Sequence, residues 1–234
     1  MKKRLKKLNI LFIVFTIIFT NISFAQPTLN QLEGKEQDFD NTYIYMEKGP
    51  ALACDGELIV LGDSFAFLFC ANIDKGVNYI VHQGYDVSKI CREFLPHIKK
   101  GQYKYAFLMI GPNDFMEQTS IYIFRTMLQI IIADLKMKGM KVVITDYCDP
   151  DYSVRDASVL YYLPIKCFQY DFVIKELMLN YGLLYVEMRD LLAEYGRLPL
   201  DMVHPAKKMY PHVLERVENV IEQDRINSPY RLEE

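Results

Sequence analysis

The feature that most constrains the fold is an alternation of short apolar runs with longer stretches of helical periodicity. Runs rich in branched and aromatic residues predict five buried strands, at 57–61, 77–81, 105–110, 141–145 and 183–186. Helical patterns cover 86–99, 119–138, 156–181 and 205–223. This alternation predicts a parallel sheet, because each parallel crossover needs a dozen or more residues. We therefore expect an α/β fold: a three-layer α/β/α sandwich with a central, about five-stranded parallel sheet.

The first 25 residues have the layout of a secretory signal peptide. A cationic run at 1–7 leads into an uncharged stretch at 10–25 that ends in Ser-Phe-Ala. We expect cleavage near Ala25 and a secreted or extracytoplasmic protein; a secreted product whose intact mass retained 1–25 would contradict this. The alternative is a membrane anchor at 8–25, although the uncharged stretch is shorter than the roughly 20 apolar residues of a spanning helix.

The rest of the chain is expected to comprise an N-terminal arm at 26–55 and a single globular domain at 56–234. Removal of residues 1–25 takes away five positive charges and no acid, so the formal net charge falls from −3 to −8. Nucleic-acid binding needs a basic surface, and we therefore expect no nucleic-acid partner. Contact with a membrane is expected only through an unprocessed N-terminal segment.

The cysteines and histidines show no metal-binding spacing. There is no Cys-x-x-Cys pair and no His-Glu-x-x-His pattern, so we expect no zinc site. An odd number of cysteines leaves at least one thiol unpaired in a monomer. Cys70 and Cys91 lie in apolar or helical surroundings, which favour a small buried side chain over a disulfide. The sequence leaves the pairing open among all five: Cys54, Cys70, Cys91, Cys148 and Cys167.

Polar residues with catalytic potential lie at the ends of predicted strands and before the last helix. Gly62-Asp63-Ser64 follows the first strand, Gly111-Pro112-Asn113-Asp114 follows the third, and Asp201-Met202-Val203-His204-Pro205 precedes the final helix. Ligands of parallel sheets bind beyond these strand ends. Each block also has a structural interpretation, as a helix N-cap serine, a turn or an exposed histidine. Their combination favours a catalytic site.

The combination resembles the SGNH (GDSL-like) hydrolase family over about residues 57–220. The family motif Gly-Asp-Ser corresponds to 62–64, Gly-x-Asn-Asp to 111–114 and Asp-x-x-His to 201–204. The glycine of the family's second block falls on Gly84. Phe65 stands where the family name implies leucine, and the usual polar residues of the second block are missing around Gly84.

The resemblance implies a serine ester hydrolase with Ser64 as nucleophile and His204 as base. Asp201 would hold the imidazole in the tautomer that accepts the serine proton. The oxyanion would be met by the backbone N–H groups of Ser64 and Gly84 and by the Asn113 amide. This chemistry needs no metal and no organic cofactor.

The expected function is that of an exported serine esterase acting on a small ester or an acylated carbohydrate. Short crossovers leave little chain for a lid, and 17 tyrosines offer amphipathic faces to a sugar ring. Short acyl groups, acetyl above all, are therefore the expected substrates. The alternatives are a lipase or lysophospholipase, an acyltransferase with the same residues, and a non-catalytic carbohydrate-binding module. The alcohol, the choice between hydrolysis and transfer, and the oligomeric state stay open.

Overall fold

The computed structural model describes residues 42–46, 57–74, 77–146, 164–198 and 203–228. Within these ranges six strands form one sheet: β1 (Thr42–Met46), β2 (Leu58–Gly62), β3 (Asn78–His82), β4 (Tyr105–Met109), β5 (Lys141–Thr145) and β6 (Leu184–Val186). The α-helices of the same ranges are α1 (Ser64–Ala71), α2 (Val87–Glu93), α3 (Pro112–Met116), α4 (Ile121–Met137), α5 (Pro164–Tyr181), α6 (Arg189–Tyr195) and α7 (Tyr210–Asn227). Short 3-10 helices lie at Leu95–His97 and Lys207–Met209.

The strand order in the sheet is β1-β3-β2-β4-β5-β6. Strands β2 to β6 are parallel, whereas β1 pairs antiparallel with β3 at the edge. The predicted parallel sheet is thus confirmed, and the described sheet has a sixth, antiparallel strand. That strand lies inside the segment predicted as an arm, 26–55. The predicted signal peptide at 1–25 lies outside the described residues.

Helices cover both faces of the sheet, because successive side chains of a strand point to opposite sides. On β2, Ile59 and Leu61 pack with residues of α2, α4 and α5. Leu58 and Val60 pack on the other face with residues of α1, α6 and α7. The observed architecture is therefore the predicted three-layer sandwich.

The helices differ from their predicted bounds mainly at their ends. The helix predicted at 86–99 stops at Glu93 and continues as the 3-10 turn Leu95–His97, where Pro96 has no backbone N–H to extend an α-helix. The helix predicted from 156 is described from Pro164 onward. No helix in the described part of the chain is long and apolar enough to cross a membrane.

Three of the cysteines fall in the described ranges. Cys70 and Cys91 are free thiols, and Cys167 is buried. This agrees with the expected thiol state of the first two. Cys54 and Cys148 lie outside the described residues.

The chain changes direction in the sheet at β2, because β3 lies on one side of it and β4 on the other. Loops that leave neighbouring strands in opposite directions open a crevice at the carboxyl ends of those strands. Ser64 begins α1 directly after β2 and therefore lies at this crevice.

The backbones of β2 and β4 approach closely at Gly62. A Cβ atom at this position would overlap the Met109 carbonyl oxygen and lie 2.7 Å from the Cβ of Ala66. Only glycine fits this position without a shift of β4 or α1. The backbone N–H of Asp63 donates to the same Met109 oxygen at 3.3 Å.

Asp114 joins three elements from a buried position. Its side chain is 1% exposed, and Oδ2 accepts the N–H of Val87, the first residue of α2, at 2.9 Å. The Tyr170 hydroxyl of α5 donates to the Asp114 carbonyl oxygen at 3.3 Å. Burial raises the Asp114 pKa to about 8, an effect that the Val87 N–H partly offsets.

We predict that Gly62→Ala destabilises the fold by about 3 kcal/mol, because the added methyl group meets backbone and side-chain atoms that cannot move independently. Gly101→Ala is the matched control. Gly101 has a φ of +73° in open space, so only backbone strain of about 1 kcal/mol is expected there. Urea denaturation of both variants is the measurement. A Gly62→Ala variant no less stable than Gly101→Ala would contradict the close approach.

We also predict that Asp114→Asn gains stability relative to the wild type as pH rises. The folded-state pKa of about 8 exceeds the ordinary 3.8, so between these values the folded state binds more protons than the unfolded state. The stability that Asp114 contributes is therefore lost as pH rises through this window, whereas asparagine does not titrate. The expected change is at most about 1.4 kcal/mol per pH unit in denaturation curves between about pH 5 and about pH 8.

Asp190→Asn serves as the control for this pH dependence. Asp190 is exposed and pairs with Arg216, which lowers its pKa below the ordinary 3.8. Its contribution should therefore stay constant across the same pH window. A pH-independent difference for Asp114→Asn would show that the carboxyl is ionised throughout.

Candidate active site

The predicted nucleophile and base, 140 residues apart in sequence, meet at the carboxyl end of β2. Nε2 of His204 lies 2.8 Å from Oγ of Ser64. Ser64 is 9% exposed, and the ring of Phe65 packs against the imidazole with centroids 5.5 Å apart. A histidine nitrogen at this distance can accept the serine proton.

The N-cap of α1 is Asp63, not Ser64. Oδ1 of Asp63 accepts the N–H of Phe65 at 2.9 Å, and Ser64 is the first residue of the helix. The interpretation of Ser64 as a capping serine therefore does not hold. Its hydroxyl is not engaged in capping, and its N–H lies at a helix N-terminus, where negative charge is favoured.

A short paired segment holds His204 in place. Arg197 and Pro205 form an antiparallel bridge, and the Leu198 N–H donates to the His204 carbonyl oxygen at 3.0 Å. The Ala206 N–H donates to the oxygen of Gly196, which ends α6 with a φ of +73°. The base is therefore fixed through its backbone to the segment that follows α6. Asp201 lies outside the described residues, so its contact with His204 stays a prediction.

Gly84 follows β3, the neighbour of β2 on one side. It has a φ of +84° and open space around its Cα. The His82 ring stacks on the Tyr85 ring with centroids 3.5 Å apart, and the Tyr85 N–H donates to the His82 oxygen at 3.4 Å. These contacts, which the sequence did not indicate, close the turn at whose tip Gly84 is exposed.

Asn113 follows β4, the neighbour of β2 on the other side. Its Nδ2 is fully buried and has no hydrogen-bond acceptor among the described residues. A buried donor without a partner costs about 1–3 kcal/mol. An oxygen that arrived with a substrate would satisfy this donor, which is the chemistry expected of an oxyanion site.

Asp63 is 0% exposed, and its carboxyl lies between the two turns that carry Ser64 and Asn113. Burial raises its pKa to about 7, an effect that the N–H groups of Phe65, Gly111 and Asn113 and the Asn113 amide partly offset. The sequence contained one signal for this role, an aspartate directly before an apolar helix. Among the described ranges, no three His, Cys, Asp or Glu side chains are grouped to hold a metal ion.

No protein-family model matches the sequence, and no curated protein matches it. Similarity is found among solved structures. A GDSL-like lipase from Bacteroides thetaiotaomicron superposes with a TM-score of 0.63 at 13% identity, over 76% of this chain and 92% of that one. A member of the lipolytic protein G-D-S-L family from Veillonella parvula gives 0.53 at 18% identity, over 71% and 98%. An acetylxylan esterase from Geobacillus stearothermophilus gives 0.50 at 15% identity, over 70% and 93%.

At sequence identities of 13–18%, these similarities concern the path of the backbone and not the individual side chains. The three chains are matched over nearly their whole length. The chain therefore has the fold of the SGNH (GDSL-like) hydrolases.

Proposed function

We propose that this protein is an exported serine esterase of the SGNH type that removes short acyl groups from a small ester or an acylated carbohydrate. The observation that carries the proposal is the 2.8 Å contact between Ser64 Oγ and His204 Nε2 at the point where the sheet changes direction. The lipase and the acetylxylan esterase of the same fold support ester hydrolysis as the reaction class. Export rests on the signal-peptide pattern of residues 1–25.

In the acylation step, Ser64 Oγ attacks the ester carbonyl carbon and its proton passes to His204 Nε2. The tetrahedral intermediate collapses with cleavage of the bond to the alkoxy oxygen, and the imidazolium returns the proton to the departing alcohol. The acyl group is then bonded to Ser64. Water attacks it in the second step with His204 again as base, which releases the acid and restores the serine.

The negative charge of each intermediate develops on the former carbonyl oxygen. Three donors are proposed to bind it: the N–H of Ser64, the N–H of Gly84 and the Asn113 amide. They come from the ends of β2, β3 and β4, which are adjacent in the sheet. Donors fixed before the reaction are effective because they need no reorganisation when the charge forms.

Asp201 is proposed to orient His204 by accepting a hydrogen bond from its other ring nitrogen. An asparagine at this position would favour the wrong tautomer, so kcat of Asp201→Asn should fall by several orders of magnitude, to about 10⁻⁴ of the wild type. A fall of less than about tenfold would show that His204 takes its orientation from another group.

The nucleophile is tested with a fluorophosphonate, which forms a stable adduct with an activated serine. We predict that the wild type is labelled at Ser64 alone and that Ser64→Ala is not labelled, because only Ser64 has a histidine at hydrogen-bond distance among the described serines. Peptide mapping by mass spectrometry is the measurement. Ser120→Ala is the matched control, since the Ser120 hydroxyl is exposed and caps α4 through the N–H of Ile123. Equal labelling of wild type and Ser64→Ala would refute the proposed nucleophile.

The size of the acyl group is tested with esters of one leaving group. We predict that kcat/KM is highest for acetate and falls through butyrate and octanoate to palmitate. The reason is that the connections after β2, β3 and β4 have only one, four and two residues between strand and helix, which leaves little chain there for a long apolar tunnel. A maximum at octanoate or beyond would point to a lipase or lysophospholipase instead.

A further inference from the structure

The buried Asp63 carboxyl contacts both turns of the proposed site. On the nucleophile side, Oδ1 accepts the N–H of Phe65 at 2.9 Å. On the opposite side, the N–H groups of Gly111 and Asn113 and the Asn113 amide are near enough to favour the charged carboxylate. The Asp63 backbone is itself tied to β4, because its N–H donates to the Met109 oxygen at 3.3 Å.

Two buried atoms in the turns after β2 and β4 are a complementary donor and acceptor, and both lack a hydrogen-bond partner. Asp63 Oδ2, an acceptor, and Asn113 Nδ2, a donor, are both fully buried and have no hydrogen-bond partner in the described part of the chain. Buried polar atoms without a partner are rare and call for a specific explanation. The Asn113 amide is among the groups that lower the Asp63 pKa, and the two residues follow the paired strand ends Gly62 and Met109.

We propose that Asp63 is a positioning residue for Asn113: its Oδ2 accepts one amide N–H and thereby directs the second toward the carbonyl oxygen of the substrate. A side-chain amide has two N–H donors, so one can be held by the carboxylate while the other stays available. The inference rests on the proposed function, since it takes Asn113 as an oxyanion donor. Asp63 itself touches no substrate.

Asp63 differs from the other buried carboxyls at the strand ends in its relation to a proposed catalytic side chain. Asp114 accepts the N–H of Val87, and Asp146 accepts the N–H groups of Met188 and Arg189 at 2.7 and 3.1 Å. These contacts fix backbone. Asp63 also fixes backbone. It is the one of the three whose pKa is lowered by the side-chain amide of a proposed catalytic residue, Asn113.

Asp63→Asn tests the proposal with little change of shape. An asparagine keeps one oxygen for the Phe65 N–H but turns an NH₂ group toward the NH₂ group of Asn113, which removes the acceptor. Because Asn113 acts on the transition state, kcat should fall by about 10- to 100-fold while KM stays within about twofold. A purely structural role would lower stability without this separation of kcat from KM.

A double-mutant cycle shows whether Asp63 acts through Asn113. Asn113→Ala should lower kcat by about 10²- to 10³-fold, and Asp63→Asn in the same chain should cause no further loss. Losses that multiply in the double variant would overturn the inference, although the proposed esterase function would stand. Asp146→Asn is the matched control, because it alters a buried carboxyl at the end of β5 that contacts neither Ser64 nor Asn113.

A second measurement does not depend on activity. Asn113 side-chain amide resonances, assigned in ¹⁵N-asparagine-labelled protein by their loss in Asn113→Ala, are compared in the wild type, Asp63→Asn and Asp146→Asn. At about pH 8.5, above the Asp63 pKa of about 7, they should shift in Asp63→Asn and stay in place in Asp146→Asn. Unchanged resonances in Asp63→Asn would overturn the inference.

The proposed function fails separately, if the wild-type protein shows no Ser64-dependent ester hydrolysis. In that case the resonances would still show whether Asp63 contacts Asn113.

Discussion

The contact between β2 and β4 at Gly62 is the constraint on which the candidate site depends. Since a side chain at this position would overlap the Met109 carbonyl, the two strands can approach only with glycine there. The next residue, Asp63, then binds the Met109 oxygen through its N–H, and the turn after β2 lies against the turn after β4. The distance between Ser64 and Asn113 is thus set by backbone packing before any side chain contributes.

Buried carboxyls hold the loops around this contact. Asp63, Asp114 and Asp146 follow β2, β4 and β5, and each accepts at least one backbone N–H. Burial raises the pKa of all three, to about 7, about 8 and about 6. The sheet edge at which the candidate site lies therefore contains carboxyl groups that are costly to ionise there. The stability that these carboxyls contribute is therefore lost as pH rises from the ordinary 3.8 through their folded-state pKa values.

Periodicity and turn residues were sufficient to predict the five parallel strands and the layered architecture. The strand pattern also brought Ser64 and Asn113 to one edge, because residues after parallel strands share an edge of the sheet. The pairing of Ser64 with His204 was expected from the resemblance to the SGNH hydrolases. The antiparallel strand β1 was not predicted, although Thr-Tyr-Ile-Tyr is rich in β-branched and aromatic residues, because the segment around it is polar and turn-rich. Which of Asp63 and Ser64 caps α1 needed the structure, because both residues suit an N-cap and the presence of His204 near Ser64 is a matter of packing. The placement of Gly84 and Asn113 on either side of β2 required the strand order, which the sequence leaves open.

The contact of Ser64 with a histidine 140 residues later has a consequence for when the candidate site forms during folding. Strands β2 to β4 and their helices come from the first half of the domain, whereas His204 is fixed by the segment around Gly196 and precedes α7. Contacts of such long sequence separation form late, because the intervening chain must lose its conformational freedom first. A chain that emerges from the ribosome or crosses a membrane unfolded would therefore carry a serine without a base until α7 docks. Recovery of the proposed ester hydrolysis on refolding would report this final docking, whereas the circular dichroism of the helices would report the earlier stages.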